Sequence, residues 1–193
     1  MKHVVAHVPQ AGRSEASAGI ISPEPLVLEV SSYIYRFASS RYIGDATAPE
    51  AISAGAKRGS AGRASYAPVM GPAAGRWWVR EEDFNSIMER ADRAGGNLGQ
   101  KARWDLAVLQ KWGSRMDIVI QARVNSKLWA WCGLAKPQQE TDANGQVIRL
   151  YGNRTIRQLY LHDVTDASGM LTARGREALS ITGAKVIPSS LVG

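Results

Sequence analysis

The order of strand-like and helix-like segments constrains the fold of this 193-residue chain more than any other feature. Runs rich in aromatic and β-branched residues begin near Leu26 and return after Gly113, and the helical patterns between them are short. No regular alternation of strand and helix, heptad or internal repeat is present. This order predicts an α+β fold with a mixed, largely antiparallel split sheet and a few short helices. We expect residues 1–25 to form a flexible or loosely packed lead-in and residues 26–193 to form a single catalytic-type domain.

Two stretches between the strands have the spacing of helices. The first carries apolar residues at i, i+3, i+4 and i+7, namely Phe84, Ile87, Met88 and Ala91, and ends at Gly95-Gly96. A second helix is predicted over about Gln100 to Trp112. Later in the chain, Asn144-Gly145 is typical of a tight turn between two strands.

The predicted strand from Leu26 to Phe37 ends in Tyr35-Arg36-Phe37 and leads into a small, hydroxylated segment. A planar guanidinium at such a place suits a phosphate-bearing ligand, because its fork donates two parallel hydrogen bonds to phosphate oxygens. The alternative is that Arg36 faces solvent beside a polar loop. Downstream, a Gly-, Ala- and Ser-rich loop is predicted over Gly59–Gly75, followed by a brief strand that contains Trp77 and Trp78. These indoles belong either to the wall of a pocket or to the core.

Charge and residue usage exclude several classes of protein. The formal charge of +7 and the pI of about 9.8 favour anionic partners such as nucleotides, nucleic acid or an acidic protein. The single Cys132 excludes an internal disulfide, and three scattered histidines do not predict a metal site. No apolar run is long enough for membrane insertion, and the N-terminus is too polar for a classical signal peptide. We expect a cytoplasmic protein, or one delivered into a target cell by other means.

Two polar side chains late in the chain are candidates for catalysis. Gln158 lies in the predicted strand from Thr155 to Asp163, and Glu140 follows Gln138 in a polar stretch before the Asn-Gly turn. No nucleotide-binding glycine loop, zinc-protease helix or nucleophile elbow is present. The alternative is that Gln158 is an ordinary polar residue of a strand and that Glu140 is a solvated charge in a loop.

Taken in order, Tyr35-Arg36, Trp77-Trp78 and Gln158 resemble the fold of ADP-ribosyltransferase and NAD glycohydrolase toxins, over about residues 26–163. In that group a strand-end arginine holds the phosphates of NAD, a middle strand lines the nicotinamide pocket, and a late strand carries the catalytic glutamate. The resemblance implies that Arg36, Tyr35, Trp77 and Trp78 bind NAD. This chain departs from the pattern, because Tyr160 stands where Gln158-x-Glu would place the glutamate.

The resemblance therefore leaves two catalytic candidates. Gln158 itself stands at the catalytic position, as a glutamine does in some toxin NAD glycohydrolases, whereas Glu140 has the Gln-x-Glu spacing. A glutamate stabilises an oxocarbenium-like ribose by charge and hydrogen bonding, and a glutamine supplies only a dipole. We prefer Gln158 by position.

The resemblance implies an NAD-consuming toxin or effector that cleaves the nicotinamide–ribose bond. It would transfer ADP-ribose to a protein or nucleic-acid acceptor, or to water, and would have NAD as its substrate and a cognate inhibitor protein as a partner. One alternative is a basic nucleic-acid-binding module in which tryptophan and tyrosine stack on bases. The other is a structural or assembly protein of a virus particle.

Overall fold

The computed structural model describes residues 10–39, 75–112, 114–166 and 171–187. The predicted loop at Gly59–Gly75 lies outside these residues except for its last glycine. The described helices are α1 (Arg13–Gly19), α2 (Glu81–Arg93), α3 (Leu98–Asp105) and α4 (Ala173–Ala178), with a 3-10 turn at Gln110–Trp112. The described strands are β1 (Ile20–Leu28), β2 (Tyr33–Ala38), β3 (Trp77–Arg80), β4 (Ile118–Val124), β5 (Leu128–Ala135), β6 (Gln138–Thr141), β7 (Val147–Leu150), β8 (Arg157–Tyr160) and β9 (Leu179–Val186).

Seven of these strands form one sheet in the order β1-β5-β8-β3-β2-β4-β9, and β6 and β7 form a separate hairpin. Every pairing between the described strands is antiparallel. The α+β class with a largely antiparallel sheet and a few short helices is therefore confirmed. None of the described helices is long and apolar enough to cross a membrane.

The strand predicted from Leu26 to Phe37 is two strands in different parts of the sheet. A turn separates β1 from β2, because Ser31 adopts a φ of 72° and the Ser32 N–H donates a hydrogen bond to the Glu29 carbonyl at 3.1 Å. β1 then lies at one edge of the sheet, where its prolines need no ladder partner. β2 lies between β3 and β4 in the interior of the sheet.

The segment before Leu26 also contributes to the fold. Residues 1–9 of the predicted lead-in lie outside the described residues, whereas the first half of β1 pairs with β5 in the sheet and α1 precedes it directly. Ala16 and Ile20 are buried in a small cluster with Trp131 and Tyr160. Apolar contacts therefore extend the folded unit at least to α1 on its N-terminal side.

Helices α2 and α3 cover one face of the sheet. Phe84, Ile87 and Ala91 of α2 are buried, as their spacing predicts, and positive φ angles at Gly95 and Gly96 end the segment. α3 begins after Asn97, whose side chain accepts a hydrogen bond from the Gln100 N–H at 2.8 Å. It ends at Asp105, well before the predicted end at Trp112, because Ala107 adopts a φ of 50°.

Candidate functional site

A cavity lies where β2 and β3 separate. The two strands pair only at Ile34 opposite Arg80 and at Tyr35 opposite Val79. Beyond these pairs, Trp77 and Trp78 of β3 pair with β8, while β2 continues along β4. The two halves of the sheet thus diverge and enclose a volume of about 380 Å³, which is within the range of small-molecule sites.

Arg36 bridges this gap from the end of β2. Its Nη1 donates a hydrogen bond to the main-chain carbonyl of Trp77 at 2.8 Å, at a level where the two strands no longer pair. Gly75, with a φ of 40°, lies directly against the guanidinium, and a Cβ at that position would come within 2.7 Å of Nη1. The backbone of Gly75 and Trp77 therefore fixes the cation on the cavity wall.

The two neighbouring tryptophans differ in their exposure to the cavity. Trp78 is 2% exposed, and its Nε1–H donates a hydrogen bond to the Gly75 carbonyl at 2.9 Å. Trp77 is half-buried, and its ring packs edge-on against Tyr160 with centroids 4.9 Å apart and closely approaches Gly19. Trp77 is therefore the indole of this pair with free surface toward a ligand, and Trp78 is anchored in the core.

Tyr35 contributes its ring to the wall, and its hydroxyl is already engaged. The hydroxyl accepts a hydrogen bond from Gln121 Nε2 at 2.8 Å and donates one to Glu81 Oε1 at 3.1 Å. Burial raises the pKa of Tyr35, and the Glu81 carboxylate adds to the rise, so the phenol stays neutral. Its ring stacks on Phe84 with centroids 4.2 Å apart. These contacts make Tyr35 a rigid side wall.

Gln158 is held in one orientation on β8. Its Nε2 donates a hydrogen bond to the Leu106 carbonyl at 2.6 Å, and the residue is 7% exposed. Because a carbonyl only accepts hydrogen bonds, the amide nitrogen must face Leu106, and Oε1 is turned the other way. No described residue donates a hydrogen bond to Oε1. Gln158 therefore offers an acceptor to the cavity that it lines.

A buried carboxylate fixes the start of β8, the strand that carries Gln158. The Arg157 N–H donates a hydrogen bond to Asp83 Oδ1 at 2.8 Å, and Arg80 pairs with Asp83 Oδ2 at the same distance. Asp83 is 4% exposed, and burial raises its pKa despite these partners. This contact ties the start of α2 to the residue before Gln158.

The lining of the cavity suits an anionic ligand with a flat ring. Among the described residues that line it, the cations are Arg36 and Lys136, and none is a carboxylate. The aromatic lining residues are Tyr35, Phe37, Trp77, Trp78 and Trp112. The polar uncharged side chains are Ser39, Ser114, Gln138 and Gln158. A guanidinium and an ammonium group in one cavity wall suit phosphate oxygens, which accept charge-assisted hydrogen bonds from both.

Five of the six candidate residues from the sequence lie in this cavity, and Glu140 does not. Glu140 is 8% exposed on β6, and its Oε1 accepts a hydrogen bond from the Gln110 N–H at 2.9 Å. It lines a different cleft, together with Arg103 and Trp104. There, burial lowers the pKa of Arg103 and the Glu140 carboxylate opposes that change. The structure thus separates Glu140 from Arg36 and Gln158.

Several lining residues were not singled out from the sequence, among them Lys136, Trp112 and Ser39. Lys136 lies just after β5, in the polar stretch from which only Glu140 was singled out. Trp112 is 52% exposed and lies at the end of the second predicted helix, and Ser39 lies in the hydroxylated segment that follows Tyr35-Arg36-Phe37. No group of three or more potential metal ligands occurs within the described ranges.

Comparisons with known proteins give little further information. No protein-family model and no curated protein matches the sequence. A solved structure described as "Structure of Tne2 in complex with Tni2" is similar to this chain, with a TM-score of 0.47 and 14% sequence identity. The similarity covers 86% of this chain and 93% of that chain. The chemistry of the cavity therefore remains the basis for a functional assignment.

Proposed function

We propose that this protein is an NAD-consuming effector that cleaves the nicotinamide–ribose bond of NAD and passes ADP-ribose to water. The observation that carries the proposal is the convergence of Arg36, Trp77 and the Oε1 acceptor of Gln158 in one cavity. Because loss of NAD harms the cell that makes such an enzyme, the proposal includes a cognate inhibitor protein as its partner.

In this proposal Arg36 binds the pyrophosphate. Its Nη1 donates a hydrogen bond to the Trp77 carbonyl at 2.8 Å, which holds the guanidinium in the cavity wall. Charge-assisted hydrogen bonds from a fixed guanidinium are about twice as strong as neutral ones. The formal charge of +7 favours the approach of a substrate whose pyrophosphate carries two negative charges.

The nicotinamide ring stacks on Trp77. In NAD this ring is a cationic pyridinium, and a cation over the face of an indole is stabilised by the ring quadrupole. The edge-on contact with Tyr160 holds the Trp77 ring in place before the substrate arrives. A preordered wall lowers the entropy lost on binding.

Gln158 acts where positive charge develops. As the bond between C1′ and the ring nitrogen breaks, its electron pair goes to nicotinamide, which leaves neutral, and the ribose becomes oxocarbenium-like. The fixed Oε1 of Gln158 accepts a hydrogen bond from a ribose hydroxyl and presents its negative end to the sugar, at no reorganisation cost. Water then bonds to C1′ and loses a proton to solvent. The described lining offers no carboxylate to activate another acceptor, which is why we favour water.

Release of nicotinamide from NAD, without any added protein acceptor, tests the proposal. We expect Arg36→Ala to raise KM about tenfold or more, because charge-assisted hydrogen bonds to phosphate are lost. Gln158→Ala should lower kcat by roughly a hundredfold. Glu140→Gln, which keeps the acceptor for Gln110, should retain activity. No release by the wild type, or equal kcat/KM for Arg36→Ala, would refute the assignment.

The exposed indoles of Trp104 and Trp112 support a second candidate function, binding of single-stranded nucleic acid. They are 46% and 52% exposed on a chain of positive net charge. Base stacking on each is worth about 1–3 kcal/mol. This candidate predicts retention on single-stranded DNA or RNA that weakens steeply with salt and is reduced by Trp104→Ala. Absence of retention at low salt would refute this second candidate function.

A further inference from the structure

Ser39 lies at the end of β2, three residues after Arg36, and lines the same cavity. Its residue exposure is 0%, and within the part of the chain that the structure describes its Oγ has no hydrogen-bond partner. Buried polar side chains in native proteins are nearly always hydrogen-bonded, since an unmet group loses its hydration without compensation. An orphan hydroxyl in the wall of a cavity therefore indicates a missing ligand atom.

The position of Ser39 in the cavity indicates which chemical group of a ligand would bond its hydroxyl. Trp112 and Lys136 are exposed and mark the mouth of the cavity. The lining residues that are at most 2% exposed mark its closed end, and besides Ser39 they are Ala38, Trp78, Val79, Ala107 and Met116. Apart from Ser39 this end is apolar. A phosphate there would be costly to desolvate, whereas a neutral polar group is tolerated once it is hydrogen-bonded.

We propose that Ser39 binds the carboxamide of the nicotinamide ring and selects NAD through that group. This inference rests on the proposed function of the cavity. A hydroxyl both donates and accepts, and a carboxamide offers a carbonyl oxygen and an amide N–H₂ in the same plane. The carboxamide is also the part of the ring that is polar yet uncharged. Ser39 is thus a specificity residue, and Arg36 binds the phosphates.

The test measures the binding of the two halves of the substrate separately. Binding of nicotinamide and of ADP-ribose is measured by calorimetry on the wild type, on Ser39→Ala, and on the control Ser86→Ala. Ser86 is an exposed α2 residue whose hydroxyl already donates to the Glu82 carbonyl at 2.9 Å. Ser39→Ala should weaken nicotinamide binding about five- to tenfold, the equivalent of one hydrogen bond, and leave ADP-ribose binding unchanged. Ser39→Cys, with a weaker donor of similar size, should give an intermediate loss.

Thermal unfolding supplies an independent readout. Because Ser39→Ala removes an unmet buried hydroxyl, its Tm should equal that of the wild type or exceed it by a few degrees, about 2–4 °C per kcal/mol in a chain of this size. A clear fall in Tm would show that the hydroxyl has a structural partner and would overturn the inference.

The outcomes distinguish this inference from the proposed function. Unchanged nicotinamide affinity in Ser39→Ala, with normal turnover of NAD, overturns the role of Ser39 alone. Parallel loss of nicotinamide and ADP-ribose binding overturns the assignment to the carboxamide. Failure of the wild type to release nicotinamide from NAD, or to bind it at millimolar concentration, overturns both.

Discussion

Replacing Gly75 by alanine tests whether the cavity depends on the position of the Arg36 guanidinium. A Cβ on Gly75 would lie 2.7 Å from Nη1 and would overlap the guanidinium carbon. Ordinary contacts between such atoms are about 3.5–4.0 Å, so the group must move by roughly 1 Å. That shift breaks the 2.8 Å hydrogen bond to the Trp77 carbonyl and misaligns the fork with a bound phosphate.

The chain offers a matched control in Gly95. Both glycines have positive φ angles, 40° and 84°, but a Cβ on Gly95 meets no atom within 4 Å. Each alanine variant therefore bears the cost of a left-handed residue, about 1–2 kcal/mol. Only Gly75→Ala also loses a hydrogen bond from a charged donor, about 1.5–3 kcal/mol. The difference between the two variants thus isolates the position of Arg36.

We expect Gly75→Ala to be less stable than Gly95→Ala by about 1.5–3 kcal/mol in urea unfolding. Its KM for NAD should rise about ten- to a hundredfold, since each 1.4 kcal/mol of lost phosphate binding is a factor of ten. Gly95→Ala should keep the wild-type KM. Equal KM values for the two variants would refute the idea that Gly75 positions Arg36 for phosphate binding.

Three further predictions concern burial and the cavity mouth. Because burial raises the pKa of Asp83 above 3.8, its contribution to stability should fall as pH rises through its folded pKa. Urea unfolding between about pH 3 and pH 6 should show this fall in the wild type and not in Asp83→Asn. Burial also raises the pKa of Cys132, so a thiol reagent at about pH 8 should label it only after unfolding, and rapid labelling of the native protein would contradict this. Trp112→Ala should raise KM for NAD severalfold, whereas Trp104→Ala, which is similarly exposed outside the cavity, should not.

Local signals in the sequence were sufficient for the helix α2 and for the turn of the β6–β7 hairpin. Helical periodicity and an Asn-Gly pair at Gly145, with its φ of 80°, are encoded within each segment. The break between β1 and β2 was missed because no glycine, proline or asparagine marks it. Its left-handed residue is Ser31, whose N–H donates a hydrogen bond to the distant Val124 carbonyl at 2.7 Å. Tertiary pairing decides that turn.

The residues of the candidate site also fall into those that local sequence signals indicate and those that they do not. Arg36 and Trp77 were visible because residue type and strand position together predict phosphate binding and an aromatic wall. Ser39 and Lys136 were not, because β2 and β5 are separated in the sheet by two other strands, and nothing local places both at one cavity. Glu140 had persuasive spacing to Gln138, but its carboxylate is used by the Gln110 N–H. Spacing along one strand does not reveal a hydrogen bond to another segment.

The hydrogen bond between Gln158 and Leu106 argues that the cavity is built for an amide and not for a carboxylate. A glutamate at this position would set an ionised oxygen 2.6 Å from a carbonyl oxygen, where both groups only accept. The variant Gln158→Glu keeps the bond only when its carboxyl is protonated, so its kcat for nicotinamide release should lie below the wild type at about pH 7.5 and recover as pH falls. A kcat at or above that of the wild type at this pH would show that charge outweighs orientation here. A lower kcat for Gln158→Glu would show that the orientation of the Gln158 amide, which the Leu106 carbonyl fixes, matters more than a negative charge at this position.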